Sequence, residues 1–331
     1  MNIAVAAGAT VMASGVVSKV LGADAAAPAS WILAYFRGVY PEKLDITPQG
    51  RIAIPNLPPL SEEKVDEQSL HLALSDDLIH WIPLNENKPV MPGAPFIRDP
   101  FVFRDPRGGF HCLGTGGGRF RLLHTYSKDL VEWSPLERQD VMSSVPQVGN
   151  VWAPKCVAEP NGDWLVTWSS SYTKEGWEDS RIWCARTSDF KSFSKPKLIF
   201  DPGFTVIDAM VFSYKGKWRM VFKDERFGYK YGEHRYLQMA GADRIDGPYR
   251  IISERITKGI AEGPAMARHP DGRWFLFHDR CMDNIYDVLA SRDLKTWTPV
   301  EGAVFPPNTR HGNVVAIAAA ERERLLKAFP L

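Results

Sequence analysis

Three carboxylic acids in the 331-residue sequence lie 109 and 54 residues apart, close to two steps and one step of the same length, and each stands at the start of an apolar run. They are Asp99 in IRDPFVF, Asp208 in VIDAMVF and Glu262 in AEGPA. Glycoside hydrolysis needs a carboxyl group that protonates the leaving oxygen and a carboxylate that activates water, roughly 6.5–9.5 Å apart when configuration inverts. A third carboxylate near the acid would raise its pKa by like-charge repulsion. The three acids therefore suit two-carboxylate hydrolysis if the fold brings them together.

Two further stretches continue the same spacing, namely Trp152-Ala153-Pro154, which has no acid, and Arg310-His311-Gly312-Asn313. With positions 99, 153, 208, 262 and 311 as anchors, the steps are 54, 55, 54 and 49 residues. A single Asp-Pro or Gly-Pro pair at a strand end usually reflects turn chemistry. Recurrence at a fixed period instead indicates an internal repeat that places all five stretches around one axis.

A second phrase, Ser-x-Asp-Leu-x-x-Trp, repeats at positions 75–81, 127–133 and 291–297, with looser versions at 188–193 and 242–249. Its final aromatic residues are 52, 60, 56 and 48 residues apart, which is in the range of one propeller blade. Between the two phrases, several repeats contain Asn-Gly, Lys-Gly or Asp-Gly turns before an aromatic-rich strand, as hairpins require. The pattern predicts an all-β fold, a five-bladed β-propeller with four-stranded antiparallel blades.

The two ends of the repeat array are complementary. The first unit has predicted strands at 31–36, 70–74 and 81–84 but no anchor, whereas the stretch 310–317 is an anchor without the remaining strands. Pairing them in one blade would close the ring and remove an exposed sheet edge. We therefore predict a single propeller domain over residues 31–331, with an insertion at 38–68 and a terminal helix or tail at 319–331.

Composition limits the possible partners. With 40 basic and 39 acidic residues the net charge is +1, so there is no electrostatic reason to expect nucleic acid. No segment has the roughly 20 apolar residues that a membrane span needs.

The four cysteines form no CxxC pair, which argues against a structural zinc site. They are Cys112, Cys156, Cys184 and Cys281. The sequence is compatible both with a disulfide between Cys156 and Cys184 and with free buried thiols.

The first 30 residues differ from the rest in composition. An apolar stretch at 3–17 is followed by Lys19 and by small residues at 23–28. This resembles a secretory leader, although no Lys or Arg precedes the apolar stretch. We expect export to the periplasm or outside the cell, and a flexible tail is the alternative.

From about Trp31 to Ile317, the chain resembles glycoside hydrolase family 43, and most closely its arabinosidase and xylosidase members. The resemblance rests on IRDPFVF, VWAP, VIDAMVF, AEGPA and RHGN in this order, together with the SxDLxxW turns. It implies that Asp99 is the general base, that Asp208 tunes the pKa of the acid and orients substrate, that Glu262 is the general acid, and that configuration inverts. It also implies that His311 lies near the axis, where some members bind calcium, sodium or water. We expect no required cofactor, with a structural Ca²⁺ or Na⁺ in the central channel as an open alternative.

Further residues are candidates for substrate binding: Arg98, Trp152, Asp224, Arg280 and His311. Asp224 and Arg280 stand in the stretches Lys223-Asp224-Glu225 and Asp279-Arg280, which are weaker candidates because surface salt bridges would explain them almost as well. Core packing would explain Trp152 and His311. The chain departs from the family at Lys155, because relatives often have an acidic residue directly after Trp-Ala-Pro.

Together these features predict a monomeric inverting glycoside hydrolase that removes α-L-arabinofuranosyl or β-xylosyl units from oligo- or polysaccharides. One alternative is a related propeller glycosidase or phosphorylase acting on another glycon such as galactofuranose. A phosphorylase needs basic residues for phosphate, and Lys155 and Arg98 leave that possible. Another alternative is a propeller that binds carbohydrate without catalysis.

Overall fold

The computed structural model describes residues 30–39, 68–172, 179–227 and 233–331. Within these ranges, almost all regular structure is β, in five four-stranded antiparallel sheets. The predicted leader and most of the predicted insertion at 38–68 lie outside the described residues.

Blade 1 is built from both ends of the array, as predicted. From the axis outward its strands are β20 (Thr309–Ile317), β1 (Ser30–Arg37), β2 (His71–Ser75) and β3 (Ile82–Pro83). The strand β20 pairs antiparallel with β1 from Ser30 opposite Ile317 to Arg37 opposite Thr309. Hydrogen bonds between the first and last strands thus close the ring.

In each of the other four blades, the strands follow one another in sequence from the axis outward. Blade 2 contains β4 (Arg98–Arg104), β5 (Phe110–Thr115), β6 (Arg121–Ser127) and β7 (Glu137–Asp140). Blade 3 contains β8 (Trp152–Ala158), β9 (Trp164–Ser170), β10 (Arg181–Thr187) and β11 (Lys197–Phe200). Blade 4 contains β12 (Val206–Tyr214), β13 (Lys217–Asp224), β14 (Leu237–Ala242) and β15 (Arg250–Ile251). Blade 5 contains β16 (Glu262–Arg268), β17 (Trp274–Arg280), β18 (Ile285–Ser291) and β19 (Thr298–Pro299).

The innermost strands of the five blades form a closed ring. They contact one another in the circular order β20, β4, β8, β12 and β16. The predicted five-bladed propeller is therefore confirmed, and the innermost strands surround its axis.

The Ser-x-Asp-Leu phrase forms the turn after the third strand of a blade. In blade 2, Ser127 Oγ accepts from the backbone N–H of Leu130 at 2.8 Å, and Asp129 Oδ1 accepts from Val131 and Glu132. Leu130 has φ +69° and is fully buried. The equivalent residues Leu78, Phe190 and Leu294 have φ values of +65°, +56° and +61°. The polar residues satisfy the turn N–H groups while the apolar one enters the core, which explains why the phrase recurs.

Aromatic residues fill the spaces between adjacent blades. Between blades 2 and 3, for example, the Phe103 ring lies 4.8 Å from Trp164 and 5.4 Å from Phe190, measured between ring centroids. Much of the aromatic content is therefore core packing.

All four cysteines are free thiols, so Cys156 and Cys184 do not form a disulfide.

The C-terminal helix α1 (Ala319–Ala328) lies against the outside of the propeller. Its Leu325 is fully buried in the core shared by blades 1 and 2, and Glu321 pairs with Arg104 of β4 at 2.7 Å. The prediction of a short terminal helix is correct. No helix in the described part of the chain is long and apolar enough to cross a membrane.

Candidate active site

Every innermost strand has a β-bulge at its anchor, seen as a shift in pairing register with the next strand. The bulged residue has a positive φ in all five blades: Asp99 (+50°), Ala153 (+46°), Asp208 (+58°), Gly263 (+58°) and His311 (+43°). Such a conformation costs about 1–3 kcal/mol for a non-glycine residue, and strain of this kind concentrates at functional sites. The bulges turn the side chains of Asp99, Asp208 and His311 toward the axis, where they meet.

The bulges also correct the sequence alignment of the repeats. The left-handed residue of blade 5 is Gly263 and not Glu262. Glu262 precedes the bulge, at the position that Arg98 has in blade 2 and Arg310 has in blade 1. The three acids therefore come from two different positions of the repeat, and this offset changes the direction from which Glu262 enters the site.

A second repeated feature links blades 2, 3, 4 and 5 each to the following blade. In these blades, one residue of the second strand pairs with the residue that precedes the bulge on the innermost strand. The side chain of that second-strand residue contacts the anchor stretch of the following blade. These contacts are Thr115 Oγ1 with the N–H of Ala153 (2.8 Å), Ser169 Oγ with the N–H of Asp208 (3.0 Å), Lys223 Nζ with Glu262 Oε2 (2.8 Å), and Asp279 Oδ2 with Arg310 Nε. Blades 2, 3, 4 and 5 thus each hold the anchor stretch of the following blade.

The three carboxylates converge around the imidazole of His311. His311 Nδ1 lies 3.2 Å from Asp99 Oδ1, and His311 Nε2 lies 3.3 Å from Glu262 Oε1 and 3.8 Å from Asp208 Oδ2. Burial would lower the pKa of His311, but the carboxylates of Asp99, Asp208 and Glu262 outweigh it and raise that pKa to about 9. Four sequence-predicted residues from four blades therefore form one cluster, with a charged imidazole at its centre.

Asp99 is held in its ionised form. Burial would raise the pKa of its carboxyl group, but the charges of His311 and Arg98 and the hydrogen bond from Thr115 lower it below the usual value. The Thr115 hydroxyl donates to Asp99 Oδ2 at 2.5 Å. An ionised carboxylate can accept a proton from a water molecule that lies within hydrogen-bond reach.

Asp208 is almost completely buried, with 2% of its surface exposed. Its Oδ2 accepts from the backbone N–H of Gly263 at 3.0 Å, and its own N–H is held by Ser169 of the preceding blade. This carboxylate therefore fixes the bulge that follows Glu262, and thereby the position of Glu262.

Glu262 differs from the sequence-based expectation of a raised pKa. Its Oε1 accepts from Arg310 at 2.5 Å and its Oε2 from Lys223 at 2.8 Å. Burial opposes ionisation, yet Lys223, His311 and Arg310 together hold the pKa of Glu262 well below its usual value. The cations outweigh the neighbouring carboxylates, so Glu262 is ionised when no substrate is bound.

Two other acids in the same ionic network, the buried Asp279 and the half-buried Glu225, have raised pKa values. Burial raises the pKa of Asp279 to about 6 although Arg310 opposes the shift. Burial likewise raises the pKa of Glu225 to about 7, against Lys223, whose ammonium lies 2.7 Å from Glu225 Oε2. The network alternates in charge from Glu225 through Lys223, Glu262 and Arg310 to Asp279.

The predicted substrate-binding residues divide into two groups, of which the first lies beside the acids. Arg98 lies next to Asp99 with its guanidinium 5.1 Å from the centre of the Phe36 ring, and Trp152 has the equivalent position in blade 3. Both are partly exposed.

Asp224 and Arg280 instead form ion pairs near the ends of their own strands. Asp224 is fully buried and pairs with Arg226 at 2.6 Å. Arg280 pairs with Asp283 at 2.6 Å. In both blades the residue that reaches the site is the preceding one, Lys223 or Asp279. Adjacent strand residues face opposite ways, so a one-residue error selects the wrong face. The sequence shows Lys223 and Asp279 as charged neighbours of the chosen residues, but it does not show which member of each pair faces the axis.

The cluster is the place where the calcium or sodium ion that the resemblance leaves open would have to bind. One ligand atom each from Asp208, Glu262 and His311 lies within 4.8 Å of the others. Calcium takes six to eight oxygen ligands, whereas both Glu262 oxygens already accept from cationic side chains and Asp208 Oδ2 accepts from Gly263. A metal ion at this cluster would add charge beside Lys223 and Arg310, so the donor set does not fit one.

Gly263 provides a test of this packing. A Cβ at this residue would lie 2.7 Å from His311 Cγ, in addition to the cost of a side chain at φ +58°. We expect Gly263→Ala to lower the free energy of unfolding by about 2–4 kcal/mol and to reduce activity by displacing His311. Gly216→Ala is the control, because Gly216 also has a positive φ but has nothing within 4 Å. Equal losses in denaturant titrations of the two variants would contradict close packing of His311 on Gly263.

Comparison with known families gives one match to a family model. Residues 60–323 match the model of family-43-related domains described as "Probable glycosyl hydrolase domain". Among curated proteins, no sequence matches this chain.

Solved structures with a similar fold include three glycoside hydrolases. A thermostable family-43 glycoside hydrolase has a TM-score of 0.52 and 17% identity, over 66% of this chain and 78% of that one. An α-L-arabinofuranosidase from Lactobacillus brevis has a TM-score of 0.50 and 17% identity, over 66% and 76%. An endo-1,4-β-xylanase from Bacteroides thetaiotaomicron has a TM-score of 0.52 and 14% identity, over 72% and 88%. At these identities the similarity concerns the fold alone.

Proposed function

Because this chain belongs to the family-43-related glycosyl hydrolases, we propose that it is an inverting glycosidase that releases pentose units from oligo- or polysaccharides. The proposed glycon is α-L-arabinofuranose or β-xylose. Structures of similar fold that are named as an arabinofuranosidase and a xylanase support this choice. The observation that carries the proposal is the convergence of Asp99, Asp208 and Glu262 on one axis, around His311.

In the proposed reaction, Asp99 removes a proton from water, and the water oxygen attacks the anomeric carbon. Glu262 donates a proton to the glycosidic oxygen as the bond to the leaving group breaks. Asp208 orients Glu262 through the backbone of Gly263. Arg98 is placed to bind sugar hydroxyl groups, since its buried Nε has no hydrogen-bond partner in the described part of the chain.

Glu262 must acquire a proton before it can act as the acid, although Lys223 and Arg310 favour its ionised form. The decline of kcat/KM at high pH reports the pKa of the essential acid in the free enzyme. With a pKa of Glu262 well below 4.5, we expect kcat/KM to fall with rising pH across the neutral range.

Lys223→Met should move the fall of kcat/KM to higher pH. Removing one cation from Glu262 raises the pKa of that carboxyl group, so the protonated form persists to higher pH. We expect the alkaline limb of the kcat/KM profile to shift upward by about one pH unit or more. Lys217→Met, on the same strand but at an exposed salt bridge with Asp243, is the control and should leave the limb in place. An unchanged limb in Lys223→Met would exclude Glu262 as the acid.

A screen of aryl α-L-arabinofuranosides, β-xylosides and galactofuranosides tests the proposed substrate class. NMR of the released sugar would show whether configuration inverts. Adding phosphate tests the phosphorylase alternative, since a phosphorylase would release a sugar phosphate. Sugar binding without turnover of any substrate would instead favour a carbohydrate-binding propeller.

A further inference from the structure

Arg98 is a partly exposed cation beside the three carboxylates. It precedes the β-bulge of β4, at the repeat position that the proposed acid Glu262 has in β16. Its guanidinium carbon lies 5.1 Å from the centre of the Phe36 ring. That ring in turn lies 5.9 Å from the imidazole of His311, measured between ring centroids. The guanidinium therefore borders the active-site cluster and is open to solvent.

In the described part of the chain, the Arg98 guanidinium has no hydrogen-bond acceptor and no ion-pair partner. Its buried Nε is unsatisfied, and its contact with Phe36 is with an aromatic face that attracts the charge but offers no acceptor oxygen. The adjacent Asp99 directs its carboxylate elsewhere, with Oδ1 3.2 Å from His311 and Oδ2 2.5 Å from the Thr115 hydroxyl. The N–H donors of Arg98 therefore remain available to a ligand.

Two other cations of the site already have acidic partners within the protein. Arg310 pairs with Glu262 at 2.5 Å and also with Asp279, and Lys223 pairs with Glu262 at 2.8 Å. A cation that is partly buried without a partner is costly, because it has lost water without gaining an opposite charge. An anion bound beside Arg98 would supply that charge.

We propose that Arg98 binds a sugar carboxylate, so that the substrate of this site contains a uronic acid. A guanidinium presents parallel N–H donors that match the two oxygens of a carboxylate, and such charge-assisted pairs are roughly twice as strong as hydrogen bonds between neutral groups. The carboxylate has two possible sources: a hexuronic acid as the glycon, or a uronic acid unit that carries the pentose. The turnover part of this inference rests on the proposed function.

Matched substrates separate the charge from the rest of the sugar. Nitrophenyl glucuronides and galacturonides place the carboxylate on the glycon, whereas xylosyl and arabinosyl galacturonides place it on the adjoining unit. Each compound is compared with its methyl ester, which has the same ring without the charge. We expect the kcat/KM of the wild type to be about 10–100-fold higher for the acid than for the ester in one of the two sets. Equal values for acid and ester in both sets would overturn the proposal.

Arg98→Met should abolish this preference, so that its ratio of acid to ester kcat/KM is close to one. The ratio is the measure because Arg98 also lowers the pKa of Asp99, so that its loss changes the rate for every substrate. Arg104→Met is the matched control and should keep the wild-type ratio. Arg104 belongs to the same strand and also lies over a phenylalanine, 4.5 Å from the centre of the Phe110 ring, but it pairs with Glu321. A preference for the acid that survives in Arg98→Met would assign the carboxylate to another residue.

Binding without turnover gives an independent test. Galacturonate, glucuronate and their methyl esters are titrated into the wild type and into Arg98→Met by calorimetry at low ionic strength. We expect the wild type to bind one of the uronates about 10–100-fold more tightly than its ester, and Arg98→Met to bind acid and ester alike. Equal binding of acid and ester by the wild type, or no binding of either, would overturn the proposal. If no glycoside is hydrolysed, the proposed function fails, and this comparison still decides whether Arg98 binds a carboxylate.

Discussion

Asp99→Asn is expected to lower kcat/KM by about 10²–10⁴-fold on every glycoside that the wild type cleaves, the range typical of a lost general base. The amide has the same shape and can still accept the Thr115 hydrogen bond, but it cannot take a proton from water. The fold should persist, because the bulge at residue 99 is fixed by pairing of β4 with β5. Initial rates and thermal unfolding of the purified variant would measure both effects.

The matched control for Asp99→Asn is Asp105→Asn in the same blade. Asp105 is also buried and also has a lowered pKa, but it pairs with Arg107 and His111 near the β4–β5 turn. Asp105→Asn should lower the free energy of unfolding and leave kcat unchanged. Added azide provides a second check, since a small anion can attack the anomeric carbon without a base. Undiminished hydrolysis by Asp99→Asn would remove Asp99 from the mechanism.

Glu262→Gln is expected to reduce activity to a degree that depends on the leaving group. For unactivated alkyl or sugar leaving groups the loss should be about 10²–10⁴-fold, because the departing oxygen then needs a proton. For nitrophenyl glycosides the loss should be much smaller, since a nitrophenolate leaves without protonation. The measurement is kcat/KM across a series of aryl glycosides with leaving groups of different pKa.

Glu225→Gln is the informative comparison for this second variant. Glu225 contacts the same lysine as Glu262 and has a pKa raised to about 7, so it is the competing candidate for a protonated acid. We expect its substitution to affect all leaving groups equally, through Lys223. A strong dependence on the leaving group in Glu225→Gln and none in Glu262→Gln would transfer the acid role to Glu225.

The fold could be predicted because its determinants are local. The Ser-x-Asp-Leu turns satisfy their own backbone groups and bury their own apolar residue, so a short stretch of sequence is enough to recognise them. Pairing of β1 with β20 followed from two incomplete repeats that complement each other. Asp99 and Asp208 were predictable as a pair because they occupy the same bulged position in their blades.

The rest of the site depends on contacts between blades. The offset of Glu262 arises because Gly263 takes the left-handed position, and spacing alone cannot distinguish adjacent residues. Within the candidate stretches Lys223-Asp224-Glu225 and Asp279-Arg280, the sequence analysis chose Asp224 and Arg280. Lys223 and Asp279 reach the site instead, because side-chain direction alternates along a strand. The low pKa of Glu262 reflects the balance between burial and the charges around it, which only the three-dimensional arrangement determines.

Closure of the ring by β20 also determines when the site comes into existence during synthesis. The ribosome completes β20 after the other nineteen strands that the structure describes, and this strand carries both Arg310 and His311. Until it has emerged and paired with β1, Asp99, Asp208 and Glu262 are already present in the nascent chain but lack the imidazole at their centre. Catalytic activity should therefore arise in a single late step, after blade 5 has been translated. Chains that are truncated before Thr309 should have no activity, although they contain all three acids.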